Sequence, residues 1–201
     1  RRVTAVVLAA GEGRRMGRTQ QLLPWGEKTV LGQTLANVQA SLATRVLVVT
    51  GHEAAAVAAI AERAGADTVH NPDYAAGEMV SSLQAAVDTL AAEETAVVVV
   101  LADQPLVGPD VIDQLIMRFW AGDGELVAPV FNGRRGNPVL IGRRYFAELL
   151  ALSPSEMPRT LLRRHEEEMV LVPVDSAAIH LDLDEPAQYE RHRPGGSGVA
   201  A

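Results

Sequence analysis

Cysteine is absent from the 201 residues, which excludes disulfides, thiolate metal sites and a cysteine nucleophile together. Positive charge is scarce: 18 Lys+Arg face 25 Asp+Glu, for a net charge of −7. A surface this acidic does not suit general nucleic-acid binding, although Arg14, Arg15 and Arg18 make a local basic patch. No apolar run approaches the roughly 20 residues needed to span a bilayer. No secretory leader pattern precedes the first strand pattern, so the expectation is a soluble cytoplasmic protein without membrane or nucleic-acid partners. The histidines (His52, His70, His165, His180 and His192) show no i, i+4 pair of the helical zinc kind and are read as ordinary surface or core residues.

What is present is a globular composition, 48% hydrophobic and 21% charged, long enough for one domain with a sizeable core. Residues 3–10 form a continuous apolar run ending at a glycine, the pattern of a strand buried on both faces. Further strand patterns cover 45–50, 67–70, 95–102, 126–131, 138–141, 169–174 and 179–183. Helix patterns cover 30–42, 53–64, 80–92, 109–120, 143–152, 158–165 and 185–191, and 132–137 reads as a polar loop. This alternation predicts an α/β fold: a single Rossmann-like domain whose mostly parallel twisted sheet carries helices on both faces. The domain is expected over residues 1–194, with 195–201 set aside as a flexible tail. Ligands in such folds bind beyond the carboxyl ends of strands, which directs attention to residues 11–18, 50–52, 71–82, 103–105 and 182–186.

The first of these loops reads GEGRRMG. Its three glycines let backbone amides approach a ligand closely. Arg14 and Arg15 add planar, permanently charged donors for phosphate oxygens. The G-x-G-x-x-x-G spacing misses the dinucleotide fingerprint by one residue, and no Gly-Lys-Ser/Thr closes it as a Walker loop. The composition suits a triphosphate; a flexible turn with solvated arginines is the alternative. Asp103 directly follows the most apolar strand pattern. There a carboxylate can hold a hard cation such as Mg²⁺, or it can simply cap the turn before Pro105. Asp182 and Asp184 follow a late strand pattern, where a second carboxylate would complete the site for the same ion, and Asp184 can equally cap the helix that follows.

Six segments carry a resemblance: LAAGEGRRMG, QQLLPWGEKTVL, NPDYAAGEMVSSL, LADQP, GRRGNPVL and LDLDEPAQY. In this order, across nearly the whole domain, they resemble the MobA-like nucleotidyltransferases, and within these most resemble the molybdenum cofactor cytidylyltransferases. The resemblance implies a nucleotide-diphospho-sugar transferase-like fold. It also implies transfer of CMP from CTP, or a nucleotide from another nucleoside triphosphate, to the phosphate of a molybdopterin-type acceptor with release of pyrophosphate. Leu8, Ala9, Ala10 and Gly11 would contact the base through backbone groups. Gly13, Arg14 and Arg15 would hold the β- and γ-phosphates, and Asn71, Gly77 and Ser82 would line the base and ribose. Asp103 and Asp184 would hold Mg²⁺, while Arg135, Gly136, Asn137 and Pro138 would face the pterin. Arg15, Asp103 and Gln20 are the residues expected at the chemistry.

Two positions depart from the family pattern. Gln20 stands where members usually carry a lysine that helps neutralise the α-phosphate, and Asn137 stands where the cytidylyltransferases usually show histidine. Three readings follow: a cytidylyltransferase of the molybdenum cofactor, a nucleotidyltransferase with another phosphorylated acceptor such as a sugar phosphate or methylerythritol phosphate, and a weakly catalytic carrier that hands the cofactor to a molybdoenzyme or its chaperone.

Overall fold

Valine-rich strands set the sheet. The computed structural model describes residues 1–13, 17, 19–75, 79–153, 156 and 158–195. In chain order these form β1 (Arg2–Ala9), β2 (Pro24–Trp25), β3 (Lys28–Thr29), α1 (Val30–Gln39), β4 (Arg45–Thr50), α2 (Ala54–Arg63) and β5 (Asp67–His70). Then come α3 (Met79–Asp88), β6 (Glu94–Leu101), α4 (Pro109–Ala121), β7 (Leu126–Phe131), β8 (Arg134–Arg135) and β9 (Val139–Gly142). The chain continues through α5 (Phe146–Ala151), α6 (Pro158–Arg164), β10 (Val170–Pro173) and α7 (Pro186–His192). The main sheet runs β10-β7-β9-β6-β1-β4-β5, with β8 paired to β7. It is parallel except where β9 runs against β6 and β7, and where β8 folds back on β7.

Successive side chains of a strand point to opposite faces, and the two central strands show it. Val3, Ala5 and Val7 of β1, with Ala96, Val98 and Val100 of β6, pack under α1, α2 and α4. Val6, with Val97 and Val99, packs under α3, α5 and α6 on the other face. Each fully buried valine is worth about 1.5–3 kcal/mol, so a charge at Val98 would unfold the layer it anchors. Local signals agree with the helix ends. Thr29 accepts from the Gly32 N–H at the start of α1, Pro109 opens α4, and Gly122 closes it at a φ of 85°. Among the described residues no helix is long and apolar enough to cross a membrane.

One expected strand is not formed. Residues 177–180 make a 3-10 turn, and the segment to Leu183 joins no sheet. The alternating pattern there has another cause. Ile179 drops between Val107 and Val111, while Leu183 drops between Leu23, Trp25, Val30 and Tyr189. A loop threaded between two apolar clusters thus mimics a period of two. The polar loop at 132–137 in turn contains β8.

Candidate active site

The strand order reverses beside β1. From β1 the chain steps outward through β4 to β5, then returns to place β6 on the other side of β1. Beyond the carboxyl ends of β1 and β6, where ligands of open α/β sheets bind, lies a cavity of about 580 Å³. Its apolar and backbone surface comes from residues 8–11 together with Leu101, Ala102 and Met79. Its polar side chains are Gln20, Gln21, Ser82, Asp103, Arg159, Asp182 and Asp184, with Tyr74 alongside. Tyr74 reaches this wall because residue 51 is glycine: a Cβ there would lie 2.6 Å from the Tyr74 Cβ and 2.8 Å from the Ala10 carbonyl.

Three carboxylates meet in this cavity. Asp103 has its ionisation pushed up to about 7, first by burial and then by the like charges of Asp182 and Asp184. Gln20 works against this shift by donating from Nε2 to Asp103 Oδ2 at 3.3 Å. Gln104 donates to Asp182 Oδ1 at 2.6 Å. The Oε1 atoms of both glutamines are enclosed and find no hydrogen-bond partner among the described residues, a costly arrangement for a buried acceptor.

The carboxylates are brought together by the C-terminal segment. The Leu183 N–H donates to the Asp103 carbonyl at 3.3 Å. Tyr189 of α7 packs on Leu23 and Trp25 and donates from its hydroxyl to the Pro24 carbonyl at 2.6 Å. Asp184 does not cap α7: Glu185 does so, in a reciprocal pair with Gln188. Crowded like charges and hard oxygen donors fit a divalent cation. No group of three His, Cys, Asp or Glu among the described residues could cage a metal ion. What these carboxylates could share is a hard ion that takes one or two carboxylates and completes its shell with water and phosphate oxygens, as Mg²⁺ does.

Other expected site residues divide clearly. Leu8, Ala9, Ala10, Gly11, Gln20, Ser82, Asp103 and Asp184 all line the cavity. Asn71 does not. It is buried, donates from Nδ2 to the hydroxyls of Ser81 (2.9 Å) and Ser82 (3.0 Å), and accepts from the Asp73 N–H, so it holds the wall from behind. Gly13, in the left-handed region at φ 62°, is off the lining, and Arg14, Arg15 and Gly77 lie outside the described residues. Arg135, Gly136, Asn137 and Pro138 are not brought to the cavity. Their turn closes on the C-terminal segment instead: the Asn137 N–H donates to the Ile179 carbonyl at 3.0 Å, and any side chain at Gly136 would run into that carbonyl.

Four lining residues were not singled out from sequence: Gln21, Tyr74, Met79 and Arg159. Asp182, named from the sequence beside Asp184, lines the cavity with it, as the Asp-Leu-Asp spacing on one side of an extended chain allows. Arg159 sits in the first turn of a short helix with nothing in its pattern to mark it.

Residues 5–169 match the family model of the MobA-like NTP transferase domain. The Escherichia coli molybdenum cofactor cytidylyltransferase is 27% identical over 191 residues, 93% of this chain and 93% of that protein. The nicotine blue oxidoreductase of Paenarthrobacter nicotinovorans is 29% identical over 147 residues, 69% of this chain and 70% of that protein. Rv0371c from Mycobacterium tuberculosis shares the fold at a TM-score of 0.81 and 30% identity, covering 94% of this chain and 96% of that one. The same protein has been solved in complex with manganese, with a TM-score of 0.80 and 29% identity over 95% of this chain and 97% of that one.

Proposed function

Because the chain belongs to the MobA-like NTP transferase family, and so to the nucleotidyltransferase enzymes, we propose that it transfers CMP from CTP to the phosphate of a molybdopterin-type acceptor. The observation that carries this reading is the meeting of Asp103, Asp182 and Asp184 at the strand-order reversal. An oxygen of the acceptor phosphate forms a bond to the α-phosphorus of CTP, the bond to the β-phosphate oxygen breaks, and pyrophosphate leaves. Positioning and charge neutralisation dominate such a reaction, and the protein needs no covalent step.

In this reading the backbone of residues 8–11 holds the base, and Ser82, fixed from behind by Asn71, faces base and ribose together with Gly77. Gly13, Arg14 and Arg15 hold the β- and γ-phosphates, and Arg159 adds a cation to the cavity wall. Asp103 and Asp184, with Asp182 beside them, would hold Mg²⁺, which would supply positive charge against the triphosphate oxygens. The Rv0371c structure with manganese supports a divalent ion in this role. Residues 135–138 take the acceptor side on the resemblance; their bond to Ile179 puts them next to the segment that carries Asp182.

Gln20 favours a second reading, a carrier that binds nucleotide or cofactor with little turnover, because a neutral amide cannot balance charge at the α-phosphate as a lysine would. One relative in sequence is named for other chemistry, as an oxidoreductase. Pyrophosphate release from each of the four nucleoside triphosphates, with and without molybdopterin and with Mg²⁺ or chelator, separates these readings. Release confined to CTP, molybdopterin and Mg²⁺ is the expected result. Release with a different phosphorylated acceptor would reassign the substrate, and tight binding without release would favour the carrier.

A further inference from the structure

The wall formed by residues 8–11 has already committed its acceptors. The Leu8 carbonyl accepts from the Ala102 N–H at 3.2 Å, and the Ala10 carbonyl accepts from the His52 N–H at 3.1 Å. The carbonyls of Ala9 and Gly11 both accept from one side chain: Gln21 donates to them from Nε2 at 3.0 and 3.2 Å. Each of these carbonyls already carries one donor, so a base amino group lying on this wall is better served by an acceptor that carries none.

Gln21 supplies one. Two carbonyls at its Nε2 fix which end of the amide faces them, because a carbonyl cannot donate to a carbonyl. Its Oε1 must point away, and it accepts from no described residue. That oxygen is not among the enclosed unpartnered atoms, and Gln21 lines the cavity, so Oε1 opens onto the cavity. The residue is 4% exposed, and reversing the amide would set its oxygen against both carbonyls. Across the cavity Ser82 has the complementary polarity: its oxygen accepts from Asn71, leaving its own proton to donate.

We propose that Gln21 is a base-specificity residue, its Oε1 accepting a hydrogen bond from the 4-amino group of cytosine. This rests on the nucleotidyltransferase reading and adds to it the atom that separates two pyrimidines of equal size. Uracil carries a carbonyl at the same position and would set two acceptors against each other in a closed site. Gln21 then decides the polarity of the edge that the base presents.

The test is nucleotide binding by calorimetry in Mg²⁺ without acceptor, using CTP, UTP and the triphosphate of the pyrimidin-2-one nucleoside, which has hydrogen at the 4-position. The protein should bind CTP about 10–100-fold more tightly than UTP, as expected for one mismatched buried hydrogen bond, with the 4-hydrogen analogue between them. Gln21→Met should bring CTP and UTP to near parity. Gln21→Lys keeps a donor on both carbonyls but removes the acceptor, and should shift the ratio towards UTP. Equal binding of CTP, UTP and the analogue by the unmodified protein overturns the role of Gln21, whether or not the variants fold. So does a Gln21→Met variant that melts cooperatively and keeps the original ratio. No binding of any nucleoside triphosphate overturns the nucleotidyltransferase reading itself, and the role of Gln21 with it.

Discussion

The two ends of the sheet carry polar clusters of opposite electrostatic character. At the amino edge a smaller concavity of about 340 Å³ is lined by Arg144, Tyr145 and Glu168, among others. The charges of Arg144 and Glu168, and of the side chains next to them, meet opposite ones. Arg144 pairs with Glu168, His165 bridges Glu168 at 2.8 Å and Glu148 at 2.7 Å, and Arg164 pairs with Glu148 at 3.3 Å and Glu156 at 2.8 Å. The hydrogen bonds to His165 hold both glutamates below their usual range, and those glutamates hold the imidazole above its own. At the carboxyl edge the shift runs the other way: Asp103 is pushed towards its neutral form by burial and like charge. One cluster gains by being ionised as it stands; the other gains only when a cation arrives. The directions of the shifts set a cluster satisfied as it stands apart from a candidate binding site.

The sharpest way to break this contrast is to remove one charge at each end. Asp103→Asn should lower turnover by about 10²–10³, the usual loss for one preorganised electrostatic element. It relieves like-charge crowding, so the metal-free melting temperature should not fall. Glu168→Gln should do the reverse, leaving turnover intact and lowering Tm slightly. Steady-state rates and melting curves on both variants check this. An active Asp103→Asn enzyme would show that the carboxylate has no role in transfer.

A smaller effect is expected from making the carboxyl edge resemble the amino edge. Gln20→Lys places a cation where the amide now donates to Asp103. Charge accumulates around the α-phosphorus in the transition state, so kcat should rise by about tenfold for each 1.4 kcal/mol restored. Nucleotide affinity should change less, since the interaction strengthens where charge develops. An unchanged or lower kcat would mean that the site is organised around glutamine, with its enclosed Oε1 part of the design.

Much of this contrast could be read from sequence on one side only. Residues 8–11 and Asp103 were legible because they close apolar runs that form β1 and β6, and strand ends are where ligands of such sheets bind, whereas Asp184 was reached through a strand pattern that forms no strand. The pairing of Gln104 with Asp182 was not legible, because it depends on how the segment after Ile179 docks, and its alternating pattern pointed to a strand that is absent. Gln21 was opaque for a similar reason: its two bonds reach back 12 and 10 residues to a turn whose shape no periodicity encodes. The placement of residues 135–138 off the cavity follows from β8 folding back on β7 inside what read as a plain polar loop. At the amino edge His165 gave no sequence signal at all. Its partners come from the end of a helix pattern on one side and from the charged run 166–168 on the other.

The smallest effect, and the one that tests the amino edge alone, is a pH dependence of stability centred on His165. Its ionisation is raised above the ordinary 6.5 by hydrogen bonds to Glu168 and Glu148. A raised basic group stabilises the fold fully below its unfolded value, and that contribution is lost as pH rises through the higher folded value. Glu148 and Glu168 are lowered from the ordinary 4.5, so their share is present above that value and is lost as pH falls through their lower folded values. The cluster should therefore contribute most between about pH 4.5 and 6.5 and fade towards alkaline pH. The side chains are a quarter to a half exposed, which limits the effect through solvent screening. His165→Ala should lower Tm at pH 6 by no more than about 2–4 °C, and by less at pH 8.5. Differential scanning calorimetry of both proteins across this range checks the sign. An equal loss at both pH values would mean that His165 acts through its ring packing on Tyr145, at 4.8 Å between centroids, and not through its charge.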